Sequence, residues 1–439
     1  MRVAVVGSGI SGLGAAHSLA RQAQVTLYEA GPWFGGHAHT VDVTLPTPQG
    51  PVTHGVDTGF LVFNERTYPR LIELFAGLGV KTVKSDMSFS VQVPQALGGS
   101  PLEWSGSSLN TVFAQRANLA RPRFLRMLRD LLRFNRLATA RAQSGEQSGT
   151  LQPLGDFLVE HRFSNEFRDW YLLPMIGCIW SCPTDQMLRF PVATLVRFCH
   201  NHGLLQVMDR PQWWTVAGGA RTYVERIIAG IDDKRLNTPV RRVVRTAGGA
   251  SVSTDSGTEH FDHVVMATHP DQALAVLADV GQQEREVLGA IRYQSNRAVL
   301  HTDASMLPRN RNAWAAWNYE SGPAGSGQVC LHYWLNQLQP LPWTQPVLVS
   351  LNPLRHIARS QIMEEYDYDH PVFDATAIAA QAGVAQLQGQ RRTWFCGAWT
   401  GYGFHEDGLK AGQRVGRALL NRTELRSDTG ARQKIEALA

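Results

Sequence analysis

The sequence predicts an α/β protein built around a doubly wound parallel sheet, and two observations near its N-terminus lead to that prediction. An apolar run, Val3 to Val6, is followed at once by three glycines in the spacing G-x-G-x-x-G. A second β-rich run, Val25 to Tyr28, ends on an acidic residue, Glu29. A strand, a glycine turn, a helix and an acid in this order begin a unit in which parallel strands alternate with helices and bind a dinucleotide.

Each of the three glycines has a physical role in such a unit. Gly7 allows the tight turn from strand to helix, Gly9 lets the backbone approach a pyrophosphate, and Gly12 lets the helix pack closely on the strand. The first turn of that helix directs free N–H groups and the positive end of its dipole at the phosphates. Glu29 is placed to accept hydrogen bonds from ribose hydroxyls. These residues predict a Rossmann-like nucleotide domain.

The segment after Glu29, AGPWFGGHAHT, contains Gly36, His37 and Thr40. It resembles the second fingerprint of the FAD-dependent amine oxidase, protoporphyrinogen oxidase and phytoene desaturase superfamily, a Gly-Gly-basic-x-x-Ser/Thr turn. His37 stands where that superfamily has an arginine, so a titratable group replaces a permanent cation. The resemblance implies FAD as the cofactor.

Further matches to the same superfamily are spread along the chain. Residues 54–64, HGVDTGFLVFN, resemble the stretch that lies along the isoalloxazine, and residues 238–244 resemble the strand that meets the adenine through Val240. Residues 261–270, FDHVVMATHP, resemble the segment that returns to the nucleotide domain. The resemblance implies these FAD-binding residues: Gly7, Gly9, Ser11, Gly12, Glu29, Ala30, Gly36, His37, Thr40, Gly59, Phe60, Val240, Gly397, Gly408 and Leu409.

Residues 393–412, TWFCGAWTGYGFHEDGLKAG, resemble the closing flavin motif of the superfamily: a strand, Gly397, a loop, and a helix that begins near Asp407 or Gly408. The helix N-terminus would stabilise negative charge on the reduced ring. This motif is most similar to a bacterial branch of NAD/FAD-binding oxidoreductases associated with modification of unsaturated or methyl-branched fatty acyl chains. The resemblance therefore favours an acyl substrate.

The positions of the flavin motifs predict two domains that are each discontinuous. Residues 1–90, 205–290 and 390–425 are expected to form the FAD-binding domain. Residues 91–204 and 291–389 are expected to form an inserted α+β substrate domain. The polar segment 426–439 is predicted to be a flexible tail, and residues 142–150 to be a linker between helices.

Composition excludes several other classes of protein. The 439 residues carry a formal net charge of +5 and 44% hydrophobic residues, which is typical of a globular chain. The five cysteines form no C-x-x-C pair, so neither a zinc knuckle nor a disulfide framework is expected, and a reducing cytoplasm is the natural compartment. No apolar run is long enough to span a membrane. No zinc finger, RNP strand or helix-turn-helix signature points to nucleic acid.

Residues 121–141 predict a strongly amphipathic basic helix, with Pro122 in its first turn. Four arginines, at 126, 129, 133 and 136, fall on one side, and Phe124, Met127 and the leucines at 128, 131 and 132 fall on the other. The helix is either a surface helix whose arginines are solvated, or one that lies on an anionic membrane or guides an acidic head group.

A flavin carries the redox chemistry itself, so no catalytic triad is required. Tyr402, His405 and Glu406, in the loop before the closing helix, are the candidate catalytic residues. Amine oxidases of this superfamily place aromatic residues near the ring to hold an amine, and Tyr402 or Phe404 is a candidate for that role. His405 and Glu406 are candidate acids or bases, or they only cap and orient the helix.

Three other segments bear on the substrate domain. Residues 170–183, WYLLPMIGCIWSCP, are apolar enough to line an acyl tunnel or to form plain core. Residues 313–319 and 329–335 alternate as strands do, with one face toward the flavin. Residues 364–371, EEYDYDHP, are predicted to be a loop rather than a metal site.

The sequence therefore predicts an FAD-dependent oxidoreductase that dehydrogenates a hydrophobic substrate, favoured as a fatty acyl chain, by hydride transfer to flavin N5. The alternatives are an amine oxidase, a redox-neutral double-bond isomerase, and a flavin-binding partner of a lipid-modifying complex. Expected partners are a hydrophobic small molecule or acyl lipid, an electron acceptor that the sequence leaves open, and an anionic membrane at its cytoplasmic face.

Overall fold

The computed structural model describes residues 1–144, 152–180, 183–206, 210–322 and 329–436. Most of the predicted linker, residues 145–150, lies outside these ranges. In chain order the strands are β1 Arg2–Val6, β2 Gln24–Tyr28, β3 Thr40–Thr47, β4 Gly50–Asp57, β5 Phe63–Asn64, β6 Thr82–Ser85, β7 Phe89–Leu97, β8 Ser100–Ser105, β9 Trp213–Val216, β10 Asp233–Arg235, β11 Arg242–Arg245, β12 Ala250–Thr254, β13 Gly257–Phe261, β14 His263–Met266, β15 Tyr293–His301, β16 Trp317–Ser321, β17 Val329–Trp334, β18 Leu348–Leu351, β19 Ile362–Pro371 and β20 Thr393–Phe395.

The α-helices cover both the nucleotide-binding segments and the long insertion between β8 and β9. In chain order they are α1 Ile10–Leu19, α2 Pro69–Leu78, α3 Leu109–Val112, α4 Pro122–Gln143, α5 Leu154–Glu160, α6 Asn165–Phe167, α7 Leu173–Trp180, α8 Thr184–Arg189, α9 Val192–Asn201, α10 Arg221–Ile228, α11 Pro270–Val276, α12 Gln282–Gly289, α13 Leu335–Leu338, α14 Ala375–Gln381, α15 Val384–Leu387 and α16 His405–Glu436.

The predicted parallel sheet is present, with the strand order β10-β2-β1-β14-β20. Its central strand β1 is almost continuously apolar, as expected for a strand covered on both faces. In the register, Val6 of β1 lies opposite Tyr28 of β2 and Met266 of β14. The carboxyl ends of these three strands therefore meet at one edge, which is where parallel α/β sheets bind ligands.

A second, seven-stranded sheet has the order β19-β15-β18-β17-β16-β7-β8. It is antiparallel except for the pair β16 and β7. All its strands lie within residues 89–105 and 293–371, whereas the parallel sheet draws its strands from residues 2–28, 233–266 and 393–395. The division of the chain into two discontinuous domains remains a prediction. The strands of the two sheets come from separate parts of the chain, as that prediction expects.

The closing helix α16 packs along α1, and glycines make the close approach possible. A Cβ atom at Gly412 would overlap the carbonyl oxygen of Ser11, and one at Gly416 would lie 2.7 Å from the Cβ of Ser18. Gly408 faces Ile10 in the same way. Three glycines at intervals of four residues thus give α16 a flat face against the helix that begins at the glycine turn.

Three elements differ from the sequence predictions. Residues 364–371 are not a loop: they belong to β19, an edge strand whose outward polar residues hide its period. The strand predicted from 313 begins only at Trp317, because residues 311–313 form a 3-10 turn. Helix α16 begins at His405, before the predicted start at 407 or 408, and its backbone continues through most of the predicted tail to Glu436. Residues 437–439 lie outside the described ranges.

Candidate active site

A continuous cavity of about 1640 Å³ begins at the carboxyl edge of the parallel sheet and reaches the helices of the insertion. Its first part is lined by the glycine turn, the segment after β2 and the loop after β20. Its far part lies between the seven-stranded sheet and helices α3, α4, α7 and α9. One cavity thus joins the predicted nucleotide site to the predicted substrate domain.

The glycine turn has the geometry that the fingerprint requires. Gly7 has a φ of +98°, and its N–H donates to the carbonyl oxygen of Tyr28 at 2.9 Å. A Cβ atom at Gly12 would overlap the carbonyl oxygen of Gly7, so the helix approaches the strand only because no side chain is present. Helix α1 then begins at Ile10, with its N-terminus at the cavity. Free N–H groups and the helix dipole favour a bound anion at this position.

Glu29 lies at the end of β2, as predicted, and its carboxylate is fixed by the turn. Oε2 accepts hydrogen bonds from the backbone N–H and the hydroxyl of Ser8, at 3.0 and 2.5 Å. Oε1 accepts from the N–H of Gly31 at 2.8 Å. Carboxylate oxygens can accept more than one hydrogen bond each, and Glu29 also lines the cavity. This arrangement leaves it able to accept bonds from ribose hydroxyls.

Two observations test whether FAD fits this part of the cavity. A Cβ atom at Gly9 would meet no protein atom within 4 Å, although Gly9 is the N-cap of α1 and its neighbours in the turn are tightly enclosed. Nε2 of His37 is buried and has no hydrogen-bond partner among the described residues. A space kept open beside a helix N-terminus and an unpaired ring nitrogen both fit a polar ligand such as the FAD pyrophosphate.

We expect the Gly9→Val variant to lose FAD while keeping its fold. Gly9 has a φ of −59°, which any residue adopts, and the added side chain would enter only the open cavity. The expected result is a loss of at least tenfold in FAD affinity, with the circular dichroism and unfolding midpoint of the apoprotein unchanged. A matched control is Gly77→Ala, because that site is also open but lies on exposed α2. Equal FAD affinity in the Gly9 variant would contradict this role.

Most of the predicted FAD-binding residues reach the cavity, but four do not. Thr40 instead donates to Asp57 at 2.5 Å and accepts from the N–H of Arg221 at 2.9 Å. Gly12, Gly408 and Leu409 lie in the contacts of α1 with β1 and α16. The predicted residues that line the cavity are Gly7, Gly9, Ser11, Glu29, Ala30, Gly36, His37, Gly59, Phe60, Val240, Gly397, Tyr402 and His405.

Of the three candidate catalytic residues, Glu406 lies outside the cavity lining. Its two carboxylate oxygens accept hydrogen bonds from the backbone N–H groups of Arg70 and Leu71, each at 3.0 Å. Those groups belong to the first turn of α2, where donors have no partner within the helix. Glu406 therefore caps α2 and ties it to α16, and the geometry favours the orienting role over proton transfer.

His405 lines the cavity as an uncharged ring. It stacks on Phe60 with ring centroids 3.8 Å apart, and its Nε2 is 2.6 Å from the hydroxyl of Tyr223. Burial lowers the pKa of His405 to about 3, so the ring is neutral at physiological pH. A neutral ring that stacks on Phe60 and is hydrogen-bonded to Tyr223 is suited to packing and orientation rather than to proton donation.

The other cavity histidines are uncharged for the same reason. Burial lowers the pKa of His370 to about 4 and that of His202 to about 4. Burial, and after it the neighbouring His370, holds the pKa of His37 well below its usual range. Where the superfamily has an arginine, this chain thus presents a neutral imidazole, and the site depends on backbone dipoles for anion binding.

Strand β19 contributes a wall of the cavity that the sequence prediction missed. Tyr368 and His370 line the cavity, and the hydroxyl of Tyr368 is 2.6 Å from that of Thr58. The aromatic side chains at 366, 368 and 370 are two residues apart, which is the period of one strand face. That alternation could have identified the strand, but the four acids of residues 364–369 and the following Pro371 favoured a loop.

The far part of the cavity is apolar and opens to solvent at one end. Helix α7 turns Met175 and Ile179 into it, and α4 contributes Leu128, Leu131 and Leu132. Residues 170–183 thus provide both tunnel wall and core, because Trp170 and Ile176 are buried away from the cavity lining. Cys182 lies outside the described ranges. Two of the apolar lining residues, Leu109 and Leu132, are exposed, which places an apolar opening between α3 and α4; exposed polar residues such as Lys84 and Arg210 line the cavity elsewhere.

Comparison with known proteins identifies the family. A model of the flavin containing amine oxidoreductase family matches residues 10–304. A Mycobacterium tuberculosis protein named "Putative flavin-containing monoamine oxidase AofH" is 25% identical over 287 residues. That match covers 63% of this chain and 59% of the relative, so the chain matches less than two thirds of the relative's length.

Solved structures show the same fold at low sequence identity. Cyclohexylamine oxidase from Brevibacterium oxydans has a TM-score of 0.66 and 17% identity, covering 96% of this chain and 99% of the other. A CLA-producing fatty acid isomerase from P. acnes has a TM-score of 0.65 and 16% identity, covering 94% and 97%. The family match agrees with the glycine turn, Glu29 and the cavity that fits FAD. The chain belongs to the flavin-containing amine oxidoreductases, FAD-dependent enzymes, which confirms the cofactor and the oxidoreductase class predicted from the sequence.

Proposed function

We propose that this protein is an FAD-dependent oxidoreductase that dehydrogenates the acyl chain of a hydrophobic substrate. The observation that carries the proposal is the continuity of the cavity, from the open space at Gly9 to the leucines of α4. A long apolar passage that ends at a flavin site suits a flexible hydrocarbon chain. Bound FAD would supply the acceptor for the electron pair and hydrogen that leave the substrate.

The residues of the protein would act by binding, orienting and desolvating the substrate. Met175, Ile179 and Leu131 form apolar walls that exclude water. Each methylene group of the substrate that these walls bury would stabilise the bound state by about 0.8 kcal/mol. Trp317 and Tyr333 of the seven-stranded sheet also line the cavity. Together these side chains would hold the chain extended toward the flavin end.

The charges at the part of the cavity lined by β6 and Arg210 fit an anionic head group better than an amine, and the acids Glu29, Asp367 and Asp369 line other parts of it. Lys84 of β6 and Arg210 both line the cavity, and Asp86 lies beside them. The ladder between β6 and β9, and the amide of Gln212 donating to the carbonyl of Ser85, bring these segments together. The net charge of the group is positive, which would attract a carboxylate or phosphate and repel a protonated amine.

The aromatic loop also departs from an arrangement that would hold an amine between two rings. Phe404 stacks directly on Phe198, with ring centroids 5.0 Å apart and an interplanar angle of 20°. Tyr402 meets the same Phe198 edge-on at 5.8 Å. These rings are in contact with one another, so no space for a substrate remains between them.

The test is anaerobic reduction of the FAD-loaded protein by oleic acid in detergent, with putrescine and cyclohexylamine as amine probes. We expect the acyl probe to bleach the visible flavin band and the amines to leave it unchanged. The Leu131→Trp variant, which fills the tunnel, is expected to lose at least tenfold in the bleaching rate and to keep its FAD. Leu131→Met, of similar volume, is the matched control.

Other outcomes would assign a different function. Amine oxidation is the second candidate, favoured by the 25% identity to a protein named as a monoamine oxidase, and bleaching by an amine alone would establish it. A shifted double bond in the acyl probe without consumption of an acceptor would instead show isomerisation. If neither class of probe were changed and the flavin stayed oxidised, the proposed dehydrogenation would be wrong.

A further inference from the structure

We propose that α3 and α4, with the turn between them, form a docking face for an anionic lipid bilayer and open the cavity toward it. We call this the docking face and define it by Leu109, Leu119, Leu125 and Leu132. The docking itself is independent of the reaction, whereas the delivery of an acyl chain from the bilayer to the cavity rests on the proposed function.

The exposed apolar side chains of this protein are concentrated on this face. Leu109, Leu119, Leu125 and Leu132 are 79%, 55%, 43% and 59% exposed, and they lie within 24 residues of sequence. Among the described residues the other large apolar side chain this exposed is Val159, on α5. Single exposed leucines are ordinary on protein surfaces, but a group of four on adjacent elements marks an interaction site.

By sequence, Leu132 falls with Phe124 and Met127 on the apolar side of the basic helix, but in the structure Leu132 is exposed. Phe124, Met127 and Phe134 are buried beneath α4, whereas Leu132 points outward. At 100° per residue, Leu125 and Leu132 differ by only about 20°, so they form one exposed line along the helix. The buried face of α4 is therefore narrower than its leucine content indicates. Leu125 and Leu132 lie outside that face and are available to contact another surface.

Arginines are interleaved with this line of leucines. Arg129 and Arg136 lie within about 40° of Leu125 around the helix, and Arg121 is the residue just before its first turn. Arg121 donates to the side chain of Asn118, Arg129 lies 3.5 Å from the carboxylate of Asp130, and Arg136 forms no ion pair among the described residues. Leucines that enter the acyl region beside arginines that reach phosphates are the pattern of an interfacial helix.

The acidic groups near α4 do not cancel this charge at the docking face. Asp130, the one acid in residues 121–141, is buried and accepts from the N–H of Ser164. Glu166, from the neighbouring α6, pairs with Arg123 and Arg126, which lie to one side of the leucine line. The outward charge is therefore positive, and it complements an anionic bilayer better than a neutral one.

The apolar opening of the cavity is part of the same face. Leu109 and Leu132 each line the cavity and are each exposed, and Leu128 and Leu131 continue the apolar wall inward from Leu132. A hydrocarbon chain that leaves the bilayer between Leu109 and Leu132 would stay in contact with apolar surface over its whole path. This position of the opening favours a membrane over a protein as the occupant.

The experiment is co-sedimentation of the FAD-loaded protein with two kinds of vesicle. One is made of phosphatidylcholine alone, and the other also contains about 30% phosphatidylglycerol, which makes its surface strongly anionic. We expect at least tenfold tighter binding to the anionic vesicles, and weaker binding as salt is added. Leu119→Gln with Leu125→Gln, and separately Arg129→Gln with Arg136→Gln, are each expected to reduce that binding at least fivefold. None of these four residues lines the cavity.

The control is Arg241→Gln with Arg285→Gln, two exposed arginines on other elements, which removes the same charge and is expected to change binding less than twofold. No preference for anionic vesicles, or an equal loss in the control, would overturn the proposal. A change of oligomeric state in the leucine variant without vesicle binding would show instead a contact between copies of the chain. Turnover of a detergent-dispersed substrate separates the docking proposal from the proposed function. The docking variants are expected to retain this turnover. If the proposed reaction does not occur, vesicle binding is still expected.

Discussion

The Gly412→Val variant is expected to lose both stability and FAD, because its side chain has no place to go. A Cβ atom at residue 412 would overlap the backbone oxygen of Ser11 and lie 2.9 Å from the backbone nitrogen of Ala15. Backbone atoms cannot rotate away, so α1 and α16 must separate. We expect a loss of about 3 kcal/mol or more in the free energy of unfolding, measured by denaturant titration of the apoprotein.

The same separation moves the N-terminus of α1, which carries the glycine turn, so FAD affinity is expected to fall with stability. Gly77→Ala is again the matched control: it adds one methyl group to a helix where nothing lies within 4 Å. That control is expected to gain about 0.5–1 kcal/mol from helix propensity. A Gly412 variant as stable as the control would show that the two helices do not need their close contact.

The Glu320→Gln variant is expected to cost about 3 kcal/mol, since it removes one partner of a buried ion-pair network in the seven-stranded sheet. Glu320 accepts from Nε of Arg355 at 2.8 Å and lies 3.0 Å from Nε2 of His332. Nδ1 of His332 is in turn 2.6 Å from the hydroxyl of Ser350. The variant leaves two cations facing a neutral amide, and chemical denaturation measures the cost.

The pH dependence of that network has a definite sign. Burial opposes a charge on His332, but Cys330 and Glu320 outweigh it and raise its pKa to about 9. Stability from His332 is therefore fully present below pH 6.5, the ordinary value, and is lost as the pH rises through about 9. The Glu320 variant is expected to show a smaller loss between pH 6.5 and 9 than the natural protein.

The control for this prediction is Glu365→Gln, in the same sheet. Glu365 pairs with Arg297 at 2.8 Å, but both side chains are about half exposed. Exposed ion pairs contribute only about 0–1 kcal/mol, so this control is expected to change stability little at any pH. A Glu320 variant that matched it would mean that the buried network contributes no net stability.

The nucleotide end of the site could be predicted because its chemistry depends on residues that are close in sequence. Gly7, Gly9 and Glu29 work through a turn and two adjacent strands, so their spacing alone specifies where each one lies. The basic helix was predictable for the same reason, because its period and Pro122 are local signals. Local spacing thus predicted a dinucleotide site and the main sheet, and the resemblance of the segment after Glu29 to a known superfamily implied that the dinucleotide is FAD.

The remaining parts of the site depend on contacts between distant segments. Glu406 caps a helix 335 residues away in the sequence, and Tyr368 meets Thr58 across 310 residues. Neither partner is marked by its own neighbours in sequence. Strand β19 was predicted to be a loop because an edge strand keeps polar residues on its open side. Leu132 falls on the apolar side of α4 by sequence yet is exposed, because periodicity cannot show where the core beneath a helix ends.

The contact between α1 and α16 has a consequence for how the enzyme is made. The helix that follows the glycine turn ends at Leu19, but its partner, with Gly412 and Gly416, begins only at His405. A nascent chain that has not yet exposed residues 405–416 therefore lacks the helix that supports the glycine turn from behind. Tight FAD capture is expected only once α16 has packed on α1, so chains truncated before residue 405 would accumulate without their cofactor.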